Sequence, residues 1–409
     1  MKDGFFTKKE TESKSRPDGK VYSCASCGLY KDAIHPKMKP FGNFKKGILN
    51  IGEAPGEAED QKGKPWQGKT GRLLQKTYRE LGIDLFEDCL NINACFCRPI
   101  NEAGNNRTPT GYEIDCCRRK LLKVIDEYLP KVIVLFGTVA LYSIIGYRWK
   151  KDLGGISKWR GWCIPDKDFK CWILPTFHPS YVTRSDMEVM TIWKQDLRKV
   201  FDLCDQSLPR YRKPKMEIIE DLSVLDTIKA DQVAFDYETT GLKPHAKRHR
   251  IVCAAVADSA AHCYIFMMPK SKNARLPFYR LLEKGLIGKM AHNMKYEDTW
   301  TVEKLGVDIQ GWDWDSMQAA HILDNRPGVT SLKFQTYVNF GVVDYASHIT
   351  PYLQGVDKKD GNALNRILEF IDDPTCRKEL LTYCGWDAIW EYRLAMKQIE
   401  EIGYDFMPF

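Results

Sequence analysis

Two acids stand two residues apart, Asp236 and Glu238, in the apolar stretch QVAFDYETTGL. Side chains on a strand alternate with period two, so both carboxylates point to one side of a sheet. Neighbouring anions repel unless a cation lies between them, which a divalent metal ion satisfies. A solvent-facing acidic strand end accounts for the pair alone equally well. Downstream, HNMKYED adds a second acid pair, Glu297 and Asp298, and YCGWD sets Tyr383 and Asp387 four residues apart on one helix face. Adjacent helical residues point about 100° apart, so only one of Glu297 and Asp298 can face a shared site.

A second set of chemically capable residues is sulfur-based. CASC supplies Cys24 and Cys27 at metal-ligand spacing, ACFCRP adds Cys95 and Cys97, and EIDCC adds Cys116 and Cys117. Zinc and an iron-sulfur cluster each need four such ligands, and the spacing alone leaves both open. A third stretch, GKPWQGKT from Gly63 to Thr70, satisfies the phosphate-loop pattern. Its surroundings argue against nucleotide hydrolysis. A phosphate loop leaves a buried strand directly, whereas here GILNIG is followed first by GEAPGEAED, with three glutamates and an aspartate.

The elements that must position these residues fall into two groups. From 21 to 205, buried-type strands (GILNIG, CLNINACF, KVIVLFG, CWILPTF) alternate with helical patterns (TGRLLQKTYRELG, EIDCCRRKLLKVIDEYL, TVALYSIIG). Such alternation predicts an α/β domain with a parallel sheet, whose ligands bind at the carboxyl ends of strands. Residues 206–216, including QSLPRYRKPKM, read as a linker. A second α/β domain over 217–409 opens with strands and then turns helical, and residues 1–20 read as a polar tail. The 409 residues suit two domains, and the net charge of +7 suggests a polyanionic partner, foremost nucleic acid. The polar N-terminus lacks a signal core, so the fourteen cysteines are expected in a reducing, cytoplasmic setting. The longest apolar run, Val132 to Tyr147, is short for a membrane span.

FDYETTGL, HNMKYED and YCGWD, in that order, resemble the three motifs of the DEDDy 3′-5′ exonuclease domains of DNA polymerase I type, which have a ribonuclease H-like fold with a mixed sheet. The resemblance implies that Asp236, Glu238 and Asp387 bind two divalent ions, Mg or Mn, and that Tyr383 orients the nucleophile. The family's middle aspartate falls on Glu297 when counted from Asn293 and Tyr296, with Asp298 left open. GEAPGEAEDQKGKPWQGKTGRLL, NINACFCRP and LPTFHPSYV resemble the family 4 uracil-DNA glycosylases, which carry a 4Fe-4S cluster on an α/β/α fold. That resemblance makes Cys24, Cys27, Cys97 and Cys117 the cluster ligands, with Cys95 and Cys116 near misses in register. It gives Glu53 the attacking water and the cationic sugar, His178 the uracil anion, Asn93 the base edge, and Trp66 the stacking position that is usually Phe. The turn Gly68-Lys69-Thr70-Gly71 is expected to offer backbone N–H groups to a DNA phosphate.

This domain order resembles the N-terminal part of certain phage DNA polymerases, which implies a role in phage DNA replication or repair within a bacterial host. The substrate is expected to be DNA, single-stranded or with a 3′ end, and a separately encoded DNA polymerase is the expected partner. The alternative reading makes the first domain a non-catalytic DNA-binding module that serves the exonuclease.

Overall fold

The computed structural model describes residues 22–149, 152–343, 345, 347–357 and 361–403. The polar tail expected over 1–20 lies outside the described residues. The chain divides into two compact units, Met1–Pro209 with Tyr337–Val343, and Arg210–Thr336 with Asp344–Phe409.

In the first unit, β1 (Ile48–Gly52), β2 (Cys89–Asn93), β3 (Val132–Phe136), β4 (Ile164–Asp166) and β5 (Cys171–Thr176) form one sheet in the order β2-β1-β3-β5-β4. The pairs β1–β2, β1–β3 and β3–β5 are parallel, as the strand-helix alternation requires. The first three strands are buried at every position, because helices cover both faces. The strand-helix alternation predicts a parallel sheet; the short β4 instead runs antiparallel along the edge beside β5. Its three residues carry too little pattern to be read as a strand. Ile48, Leu74, Tyr78, Val134, Leu174, Trp193 and Leu197 make the core on one side.

The second unit has six strands, β6 (Lys215–Ile218), β7 (Gln232–Thr239), β8 (Ile251–Ser259), β9 (His262–Met267), β10 (Gly288–Ala291) and β11 (Trp312–Asp315), in the order β11-β10-β7-β8-β9-β6. The sheet is mixed: β7–β8 and β8–β9 are antiparallel, while β7–β10, β10–β11 and β6–β9 are parallel. The expected order of strands followed by helices holds only to β9, since β10 and β11 are four-residue strands set between helices. The long helix Pro374–Ile402 starts from an Asp373 cap that accepts the Thr375 and Cys376 N–H groups, with Pro374 at the first helical position. It lies across β7, β8 and β9. Gly385 permits that approach, because a β-carbon there would run into the Ile265 side chain.

Candidate functional site

Strand β7 is central in its sheet, so its side chains have helices above them. Asp236 and Glu238 point to one face, and the long helix brings Asp387 over them. Ligand oxygens of the three lie within 4.8 Å of one another. Glu238 and Asp387 are buried, and Asp236 keeps the most solvent contact. Burial raises the carboxyl pKa of all three; beside Asp236, the Asp387 charge adds to the effect. Oxygen donors that repel one another in a partly dry pocket suit a hard divalent cation.

The helix Met294–Leu305 supplies the next acid. Its start is pinned by Asp315, which accepts the Asn293 N–H at 3.2 Å and the Met294 N–H at 3.0 Å. The Tyr296 hydroxyl meets Thr239 Oγ1 at 2.6 Å, tying the helix to the end of β7. This register buries Glu297 with the Asp236 charge beside it, and Glu297 Oε2 has no hydrogen-bond partner. Asp298 points elsewhere and accepts the Trp312 indole N–H at 3.1 Å.

In the first unit, the polar candidates gather at the carboxyl ends of the parallel strands. Glu53 follows β1, Asn93 ends β2, Phe136 ends β3, and His178 lies two residues beyond β5. Gly52 pairs with Asn93 across β1–β2; a β-carbon on Gly52 would collide with the Asn93 amide oxygen and stand 3.1 Å from the Trp66 ring. The Trp66 ring centroid is 5.4 Å from that of Phe136 and 5.7 Å from that of His178. His178 Nδ1 accepts the Ser180 backbone N–H at 3.2 Å, so the neutral ring carries its proton on Nε2. Burial, then the nearby Arg184 charge, pushes its pKa down to about 4, and the ring stays neutral at physiological pH. Burial raises the Glu53 pKa, opposed by a bond to Thr108.

Two of the cysteines, Cys116 and Cys117, lie on the helix Gly111–Tyr128. A capping box between Thr110 and Glu113 starts that helix, and Arg107 grips Glu113 with two guanidinium nitrogens. Cys97 lies in electrostatic reach of Cys117, Cys24 and Cys27, and its Sγ accepts the Lys37 N–H at 3.2 Å. A bond from Cys95, helped by the Phe96 backbone, brings the Cys117 thiol down to about 7. Cys116 bonds with Tyr112 on its own helix. Cluster irons lie between their ligands, so cluster cysteines stand further apart than donors to one ion.

Residues 39–200 match the uracil DNA glycosylase superfamily, and residues 216–397 match the 3′-5′ exonuclease family. The type-4 uracil-DNA glycosylase of Thermotoga maritima is 37% identical over 185 residues, covering 44% of this chain and 88% of that protein. Through its first unit, the chain belongs to the uracil-DNA glycosylase superfamily. The corresponding enzyme of Archaeoglobus fulgidus is 30% identical over 191 residues, 46% of this chain and 92% of that one. A DNA polymerase of Bacillus phage SP01 is 25% identical over 330 residues, which span 72% of this chain but 34% of the polymerase. The chain is thus a DNA-processing enzyme that joins a glycosylase-superfamily domain to an exonuclease domain. Among the described residues, no helix is long and apolar enough to cross a membrane.

The turn Gly68-Lys69-Thr70-Gly71 of the glycosylase domain has an internal partner at its first residue. The Gln67 and Gly68 N–H groups before helix Lys69–Glu80 both donate to Glu59 Oε1 at 2.8 Å. Of the four N–H groups expected to meet a DNA phosphate, that of Gly68 is thus engaged by the chain's own carboxylate. In the exonuclease domain, three residues outside the expected set stand at or beside the acidic cluster. Tyr345 donates its hydroxyl to Asp387, the Lys333 ammonium donates to Tyr383 at 2.9 Å, and buried Glu391 lies beside the Glu297 charge with Oε1 unpartnered. Glu391 is four residues beyond Asp387, so helical spacing could have found it; Tyr345 and Lys333 come from separate segments with no such signal.

Raised carboxyl pKa values predict an unusual stability profile. The folded exonuclease domain binds protons at Asp236 more tightly than the unfolded chain does, so stability falls as pH rises from the ordinary carboxylate range through the raised value. In chelator, Asp236→Asn is expected to melt above wild type at pH 8, by about 2–4 °C per kcal/mol of relieved repulsion. The difference should close as pH falls toward 4, where wild-type Asp236 is itself protonated. A pH-independent difference in melting scans would exclude charge as its source.

Proposed function

We propose that the chain acts on DNA at two sites: the first domain hydrolyses the N-glycosidic bond of uracil, and the second removes nucleotides from a 3′ end. One observation carries the proposal. In each domain, side chains from segments far apart in sequence meet at one sheet: Asp236, Glu238 and Asp387 in the second, and Asn93, Trp66 and His178 in the first. The frame is the glycosylase domain over 21–205 and the exonuclease domain over 217–409; of the linker expected at 206–216, Lys215 and Met216 already belong to β6 of the second unit.

In the glycosylase domain, the Glu53 carboxylate holds the attacking water and faces the sugar as it becomes cationic. The His178 Nε2–H donates to the base oxygen that gains negative charge, at no cost in reorientation because Ser180 fixes the ring. Asn93 reads the base edge with a donor and an acceptor, and Trp66 forms the wall beside it. In the exonuclease domain, Asp236, Glu238 and Asp387 would hold two Mg or Mn ions, with Glu297 as the fourth acid and Asp298 engaged elsewhere. When bound, such ions supply an activated water and stabilise the leaving 3′ oxygen. Tyr383 orients the nucleophile. Cys24, Cys27, Cys97 and Cys117 would hold a 4Fe-4S cluster, which ties the N-terminal loop to the helix Gly111–Tyr128.

A 5′-labelled single strand with one internal uracil tests both activities. Alkali-labile breaks at uracil in the presence of chelator, and 3′ shortening only with Mg or Mn, are the expected results. No breaks would refute the first activity and favour a DNA-binding role for that domain. Chelator-resistant shortening would refute the second. Protein purified without oxygen is expected to be brown with about four irons per chain, and Cys117→Ser should lose both colour and iron. A colourless zinc protein would remove the cluster. A role beside a DNA polymerase in replication or repair is part of the proposal, supported by the similarity to a stretch of a phage DNA polymerase. Failure to co-purify with any polymerase of its own genome would count against that pairing.

A further inference from the structure

Lys333 lies on the helix Leu332–Phe340, outside the three acidic motifs. Its charge lies within electrostatic reach of Asp236, Glu238 and Asp387 together. Its Nζ is 2.9 Å from the Tyr383 hydroxyl, 4.9 Å from the centroid of the Tyr383 ring and 5.8 Å from that of Tyr345. An ammonium only donates, so the Tyr383 oxygen accepts from it, and the single phenolic proton must point away from Lys333. The hydroxyl's other partner is Asp387, whose carboxylate also accepts a hydrogen bond from the Tyr345 hydroxyl. The result is a chain of donors, Lys333 to Tyr383 to Asp387, with Tyr345 bracing Asp387 from a second segment.

We infer that Lys333 is a positioning residue of the 3′ exonuclease site, orienting the Tyr383 hydroxyl and acting as a built-in counter-charge that weakens the carboxylates' hold on divalent ions. The inference rests on the metal reading of the Asp236, Glu238 and Asp387 cluster. A fixed cation among these carboxylates competes with a metal ion for the same negative charge, so its removal tightens cation binding. Its removal also frees the Tyr383 hydroxyl to rotate, and a misoriented nucleophile slows turnover. Affinity and rate therefore move in opposite directions, which loss of a merely structural contact would not produce.

The experiment measures Mn²⁺ binding to the full chain by electron paramagnetic resonance without DNA, and 3′ degradation in parallel. Wild type is expected to bind Mn²⁺ at sites that Asp236→Asn removes; if it does not, the metal reading fails and this inference with it. Given those sites, Lys333→Met should bind Mn²⁺ about tenfold more tightly while kcat falls about 10²-fold. Lys333→Arg keeps the charge and should keep near-wild-type Mn²⁺ affinity, which also guards against a variant that fails to fold. In a Tyr383→Phe background, Lys333→Met should still tighten Mn²⁺ binding but cost little further kcat. Unchanged or weaker Mn²⁺ binding in Lys333→Met, or an equal shift in Lys333→Arg, overturns the inference while leaving the exonuclease proposal intact.

Discussion

Degradation from a DNA 3′ end is expected to fall by about 10³-fold or more in Asp236→Ala, with uracil excision by the same protein unchanged. The magnitude follows from losing a carboxylate central to the cluster. Charge stabilisation by bound metal ions is worth several kcal/mol, and each 1.36 kcal/mol is about tenfold in rate. Asp236 is the member most tied to the others: its charge raises the pKa of Glu238, Glu297 and Glu391. The same substitution relieves repulsion, so the inactive protein should be no less stable in chelator. A gel assay on a 5′-labelled strand reads the loss. Residual activity within tenfold of wild type would show that the metal-binding carboxylates lie elsewhere.

Uracil excision is expected to fall by about 10²–10³-fold in Glu53→Gln, with exonuclease activity retained. Glutamine keeps the shape of the side chain and a hydrogen bond to water but removes the negative charge, so the loss reports on base chemistry and stabilisation of the cationic sugar. The wild-type pH profile should carry the same information. The Glu53 carboxylate is the working form, and burial raises its pKa, so activity is present at high pH and is lost as pH falls through a value above the ordinary glutamate range. His178 should not contribute above about pH 4, because its ring is neutral there. An acid limb at an ordinary glutamate value, or a Glu53→Gln protein of full activity, would transfer the role to another residue.

Much of the site was legible because its spacing is local. Asp236 and Glu238 alternate along a strand, Tyr383 and Asp387 repeat on a helix, and Cys24 and Cys27 share a turn; each needs only the geometry of its own element. The strand-helix alternation likewise placed Glu53, Asn93 and His178 at strand ends without knowledge of how the strands pair. Where the elements were short, that logic had nothing to work on. β4, β10 and β11 have three or four residues each, too few for an alternation to register, and their places follow from pairing with distant strands.

What the sequence alone determined about this protein, then, is which residue types are available on each element and which of them share a face. Only the tertiary structure decided what those faces meet. Asp315 pins the helix Met294–Leu305 so that Glu297 turns toward Asp236, and Asp298 turns to Trp312. Glu59 accepts the Gln67 and Gly68 N–H groups of the loop that matches a phosphate-binding pattern. Lys333 and Tyr345 reach Tyr383 and Asp387 from segments outside the three acidic motifs. The physical reason is common to all three. A hydrogen bond or ion pair depends on ångström distances between elements remote in sequence, and those distances are set by packing against the sheet rather than by any local periodicity.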